Sequence, residues 1–221
     1  SLDAMELKQE DHPDIDGMIE AINRQNIHEI AGKFGNVLEL VTAGKYPVIG
    51  EIEQEIRVIR NDEMTVNEIR GLAPDGMILS PGPGRPENAG IIVEAARTLG
   101  KEIPVLGVCL GHQAICLSFG AMITYAKQLM HGKQSQVRFD QNCPLFEGVP
   151  EMAPVARYHS LAADVETIPD ELRVTAVTDD GEVMAVQHRD YPIFGVQFHP
   201  ESIMTPDGRR MLENFIRLAE G

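Results

Sequence analysis

The segment Gly107-Val108-Cys109-Leu110-Gly111 places a thiol between two glycines, directly after the apolar run Ile103–Val108 and before a stretch that reads as helix to Phe119. Glycines on both sides permit the sharp strand-to-helix bend that lifts a nucleophile out of a sheet. A helix N-terminus beside the sulfur presents free N–H groups and the positive end of a dipole, which favours thiolate. The competing reading is a small buried hydrophobe between packing glycines, and the pentapeptide alone leaves both open.

A thiolate nucleophile needs a proton shuttle and a group to orient it. Of seven histidines, His199 ends the apolar run Ile193–Phe198 and is followed by Pro200-Glu201. The proline stiffens the backbone, so imidazole and carboxylate two residues apart can keep a fixed relation. Imidazole would move the proton and Glu201 would fix its tautomer. An isolated H-P-E is more often a surface histidine beside a helix-capping glutamate, and nothing in the sequence brings His199 to Cys109. A third bare segment, Pro81-Gly82-Pro83-Gly84, follows the apolar run Gly76–Ser80. It allows close approach of a ligand and an N–H aimed at an oxyanion. It is also an ordinary strand exit, and with no G-K-[ST] after it, it is not a phosphate loop.

These segments need a scaffold. Arg57–Arg60 is expected as a short strand ending at Asn61-Asp62, and Thr65–Gly71 as a helix with Thr65 and Glu68 as a capping box. Gly76–Ser80 and Ile103–Val108 read as buried strands, and Asn88–Leu99 and the stretch from Cys109 to Phe119 as helices. Strand–helix alternation predicts a parallel α/β sheet. After Ala121 short strands follow at Gln136–Phe139, Val174–Thr178, Val183–His188 and Ile193–Phe198, and residues 207–220 close with a helix. Upstream, residues 1–30 read as polar and helical, and Asn36–Thr42 fits strand or helix.

Composition bounds the function. The chain has 221 residues, 19 Lys and Arg against 34 Asp and Glu, and a net charge of −15. Such a surface argues against nucleic acid or an anionic membrane as partner. No apolar run approaches the roughly 18 residues of a membrane span, and no signal peptide is recognisable at the start. The first residue is Ser1, so the natural start is expected to lie upstream or to be processed. The three cysteines, Cys109, Cys116 and Cys143, form no C-x-x-C. Free thiols and a cytoplasmic, reducing location are expected.

Jointly, ILSPGPGRPENAG (78–90), PVLGVCLGHQAI (104–115), MHGK (130–133), RYHSL (157–161) and GVQFHPESIMTPDGRRMLENF (195–215) resemble the class I (triad) glutamine amidotransferases. The likeness is strongest to the glutaminase subunits of anthranilate synthase and aminodeoxychorismate synthase. It implies an α/β, flavodoxin-like parallel sheet with an additional small antiparallel element. It also implies roles. Cys109 would be nucleophile, His199 base and then acid, and Glu201 its orienter. N–H groups at Gly84 and Leu110 would form the oxyanion hole. Gly82, Pro83, Gly84, Gln113, Ser160 and Leu161 would hold glutamine. His131, Lys133 and His159 would face a partner, a chorismate-using synthase that receives the ammonia. This half-reaction implies no metal and no organic cofactor. Cys116 reads as core, and Cys143 has no assigned role.

The resemblance covers residues 57–221. The family's usual first strand, with its Asn-Tyr-Asp-Ser-Phe-Thr-like stretch, and the helix after it are missing. Residues 1 to about 52 instead resemble a C-terminal piece of the GHMP-family kinase that phosphorylates diphosphocytidyl-methylerythritol, in HPDIDGMIEAI (12–22) and GNVLELVTAGKYPVIGEI (35–52). Two domains are therefore expected: a mainly helical segment, 1–56, foreign to the family, and an amidotransferase domain, 57–221. Loss of a central strand would unpair its neighbours. Three functions follow: an active glutaminase, an impaired hybrid acting at most as a partner-binding module, or another cysteine hydrolase. RYHSL and Gln113 argue against the last.

Overall fold

The computed structural model describes residues 57–128, 130 and 132–220. The expectations for 1–56, including the choice between strand and helix at 36–42 and the kinase-like segment, lie outside the described residues. From Ile59 onward the chain forms one unit. It opens with α1 (Val66–Gly71), where Thr65 and Glu68 make the expected capping box. Strands and helices then alternate through β1 (Met77–Leu79), α2 (Ile92–Leu99), β2 (Val105–Val108) and α3 (Leu110–Ser118). β3 (Ile123–Tyr125), β4 (Lys133–Phe139), β5 (Met152–Arg157), β6 (Leu161–Ala163), β7 (Leu172–Thr178), β8 (Val183–His188) and β9 (Ile193–Val196) follow, and α4 (Gly208–Glu220) ends the described chain.

Seven strands form one sheet in the order β1-β2-β9-β8-β7-β4-β5. β1, β2 and β9 run parallel. From β9 outward the pairing is antiparallel, and β3 and β6 make a separate antiparallel pair. The antiparallel part is thus a direct extension of the parallel sheet together with this detached ribbon. β2 shows why a continuous apolar run is needed. Leu106 and Val108 enter one buried cluster with Phe194, Phe198, Met211 and Phe215, while Val105 enters a second with Ile115, Cys116 and Ile193. A strand covered on both faces has no polar side to show.

Arg57–Arg60 departs from expectation and is not a strand. A strand needs a neighbour to pair its backbone, and among the described residues β1 pairs with β2 alone. Ile78, in the middle of β1, is half exposed. The helix expected over 88–99 divides into a 3-10 turn, Pro86–Asn88, and α2.

Candidate active site

β2 delivers Cys109 to the C-terminal edge of the parallel strands, where open α/β sheets bind ligands. Cys109 is the N-cap of α3, with φ 51° and ψ −99°. Among the described residues only it and Ala73 are non-glycine residues at positive φ. Such a conformation costs about 1–3 kcal/mol and persists only where the surroundings enforce it. Here they do. A Cβ on Gly107 would lie 2.4 Å from the Gly111 backbone, and one on Gly111 would lie 2.1 Å from the Leu79 carbonyl oxygen. The Cys109 N–H donates to the Val196 carbonyl at 2.8 Å, and its own carbonyl accepts from the Gln113 N–H at 3.0 Å. The bend is pinned from both sides.

β9 lies beside β2 with Val196 opposite Val108, so the chain leaves β9 at the same edge. This register unites segments some ninety residues apart, which spacing alone could not do. The His199 N–H donates to the Ala156 carbonyl at 3.0 Å. Thr205 Oγ1 donates to the His199 carbonyl at 2.7 Å. The ring's Nδ1 lies 2.6 Å from Glu201 Oε1, and the edge-to-face Tyr158 ring holds its flank, with centroids 5.0 Å apart. Burial pushes the His199 pKa down. The Cys109 side chain and the Glu201 hydrogen bond and charge outweigh it, so the net result is a rise to about 9. The sulfur is near enough to exert this pull, yet His199 Nε2 is buried without a hydrogen bond of normal geometry among the described residues. Resting catalytic sites often hold such contacts long until substrate draws them together.

The remaining expected residues divide. Residues 81–84 form an exposed loop leaving β1 at this edge. A Cβ on Gly82 would meet Leu110 Cδ2 at 2.8 Å, and Gly84 has φ +82°. Gln113 is buried, and its Nε2 donates to the Leu161 carbonyl at 3.0 Å. Ser160 is exposed, and Leu161 opens β6 at partial exposure. Lys133 is exposed at the start of β4, and His131 lies outside the described residues.

His159 turns inward and does not face outward toward a partner. It is 3% exposed, with Nδ1 2.9 Å from the Leu161 carbonyl and Nε2 3.1 Å from the donor Arg157 Nε. A carbonyl on one side and a guanidinium on the other fix the neutral tautomer with its proton on Nδ1. Burial, then the Arg157 charge, lowers its pKa to about 4. The inward turn has a cause. Arg157 is buried against Glu182 at 2.7 Å, and the His159 ring fills the guanidinium's other side. The exposed neighbour is Tyr158.

Cys116 and Cys143 are fully buried in separate core clusters, and burial raises both thiols. Among the described residues no cluster of His, Cys, Asp or Glu could hold a metal ion, and no helix is long and apolar enough to cross a membrane. No motif singles out Gln197, which is wholly buried with Nε2 3.6 Å from the Cys109 sulfur. A glutamine inside an otherwise apolar run is the available signal.

The family model "Glutamine amidotransferase class-I" matches residues 46–219. The chain belongs to this family. The amidotransferase is 49% identical over 168 residues to the aminodeoxychorismate/anthranilate synthase component 2 of Bacillus subtilis, covering 76% of this chain and 86% of the relative. It is 45% identical over 185 residues to the anthranilate synthase component 2 of Methanothermobacter marburgensis, covering 80% and 93%. It is 47% identical over 174 residues to the bifunctional TrpGD protein of Thermotoga maritima, covering 78% of this chain but only 29% of that longer one. Among solved structures, a GMP synthase-like protein from Thermoplasma acidophilum superposes with a TM-score of 0.63 at 30% identity, covering 74% and 80%.

Proposed function

We propose that this amidotransferase hydrolyses glutamine through Cys109, His199 and Glu201 and delivers ammonia to a chorismate-using synthase, as component 2 of an anthranilate or aminodeoxychorismate synthase. The observation that carries the chemistry is the strained Cys109 bend beside an imidazole whose far nitrogen is held by Glu201 at 2.6 Å. The component 2 relatives, matched along most of their own length, support the synthase assignment. The cytoplasm is the proposed location.

In this reading Cys109 thiolate adds to the carboxamide carbon of glutamine. The developing oxyanion is held by N–H groups at Gly84 and Leu110, at the start of α3. Imidazolium at His199 gives its proton to the leaving nitrogen, which departs as ammonia, and the acyl group remains as a thioester. His199 then takes a proton from water, the hydroxide attacks the thioester, and glutamate leaves as the thiolate returns. Glu201 keeps Nε2 turned to the chemistry throughout. Gly82, Pro83, Gly84, Gln113, Ser160 and Leu161 are assigned to holding glutamine, with Lys133 and His131 toward the synthase. The amidotransferase domain is assigned to 57–221, with 1–56 taking no part in the chemistry, although the family match reaches back to residue 46.

Cys109→Ser tests the reading. Glutamine hydrolysis should vanish, while added ammonium should still support product formation by the synthase. Unchanged hydrolysis in that variant refutes the assignment.

A further inference from the structure

The sulfur of Cys109 has a second polar neighbour. Gln197 follows β9, its N–H donating to the Met184 carbonyl of β8 at 2.8 Å, and its side chain is completely enclosed. A buried amide is retained only where its hydrogen bonds are met. Gln197 has two partners: Gln113 Nε2 lies 3.1 Å from its Oε1, and its Nε2 lies 3.6 Å from Cys109 Sγ.

The direction of this chain follows from one group that cannot be reversed. The Leu161 carbonyl can only accept, so the Gln113 group 3.0 Å from it must be the NH2. That NH2 has a second proton, directed at Gln197, so the Gln197 atom that receives it must be the oxygen. The Gln197 NH2 is therefore turned to the sulfur. The Leu161 carbonyl also accepts from His159 Nδ1 at 2.9 Å, which holds it in place. Three successive hydrogen bonds thus run from a backbone carbonyl at the start of β6 to the thiol, each fixing the sense of the next.

We propose that Gln197 is a positioning residue for the nucleophile: locked by Gln113 and the Leu161 carbonyl, it presents an N–H to the Cys109 sulfur that favours the thiolate and holds it at one point of the bend. A donor to an anion is markedly stronger than one to a neutral thiol, so the contact selects the reactive form. The inference rests on the assignment of Cys109 as nucleophile, but it is read out without glutamine.

The test is the pH dependence of Cys109 alkylation by iodoacetamide in the full chain, with Cys109→Ser as blank. Cys116 and Cys143 are buried with raised pKa values, so the signal lost in the Cys109→Ser blank belongs to Cys109. His199, on which the Cys109 side chain acts, and Glu201 behind it both stay unchanged in the variants. Gln197→Met keeps the volume and removes the donor. Gln197→Asn keeps an amide but draws it back by one methylene. In each, the midpoint of alkylation should rise by about one pH unit, tenfold in thiolate fraction at fixed pH. In glutamine hydrolysis kcat should fall in both variants. A midpoint equal to that of the parent in either folded variant overturns the proposal. A parent that alkylates as expected but never hydrolyses glutamine refutes the glutaminase assignment and leaves the role of Gln197 standing.

Discussion

Glu201→Gln isolates what the carboxylate does for the imidazole. The side chain stays nearly isosteric, but the partner at 2.6 Å from Nδ1 loses its charge. A hydrogen bond to a charged group contributes about 1.5–3 kcal/mol and one between neutral groups about 0.5–1.5, a difference of about 1–1.5 kcal/mol. Glu201 is 54% exposed at its side chain, so solvent screening takes the lower end. At about 1.36 kcal/mol per unit, the His199 pKa should fall by about 0.7 to 1 unit. The sign is fixed by the cause: Glu201 raises the pKa, so imidazolium survives to about 9 in the parent and to roughly 8 in the variant. In the proposed mechanism imidazolium is the acid that protonates the leaving nitrogen, so the basic limb of kcat/KM for glutamine hydrolysis should move down by that amount. The glutamine amide can also turn its NH2 to Nδ1 and select the wrong tautomer, so kcat should drop by about ten- to a hundredfold, part of what a general acid contributes. Glutamate release measured between about pH 6 and 10 gives both quantities, and ammonium-driven synthesis, which bypasses the imidazole, should stay intact as the control. A basic limb that stays at the parent value, with kcat within about twofold, would refute the reasoning.

Two further substitutions probe the scaffold. Gly111→Ala places a methyl 2.1 Å from the Leu79 carbonyl. Backbone cannot yield there, so urea unfolding should show a loss at or above the usual overpacking cost of about 1–3 kcal/mol, together with lost hydrolysis. Glu182→Ala strands the buried Arg157 guanidinium beside His159. Leaving a buried charge unpaired costs about 3–5 kcal/mol, seen as a lowered melting temperature, and Arg157→Met in the same chain should recover much of it.

The parts of the site written in glycine are legible in the sequence. Gly107 and Gly111 announce a bend because the close approach of α3 to β1 and β2 leaves no room for a side chain. The stretch from Ile193 to Glu201 announces a strand delivering a histidine, because both faces of β9 are buried and its residues are apolar throughout. What stays hidden depends on partners far along the chain. Arg57–Arg60 has strand-like residues, but a strand exists only where another pairs with it. β5 is disguised by Pro154 and the small residues around it, and it tolerates the proline as the last strand of its sheet. The inward turn of His159 follows from the Arg157–Glu182 pair, two residues joined across 25 positions. Gln197 is invisible as chemistry because its meaning lies in Gln113 and Cys109, which reach it only in the folded chain.

The contacts beneath α3 restrict how this protein can change. Gly111 rests on the Leu79 carbonyl, Gly107 on Gly111, and Gly195 leaves only 2.7 Å between a notional methyl and the ring of His112. Helix and sheet touch backbone to backbone, so the helix has no slack in which to slide or tilt. New substrates or new recipients of the released product can therefore be accommodated only from above, by the loops at the strand ends, while the floor beneath the thiol stays as it is.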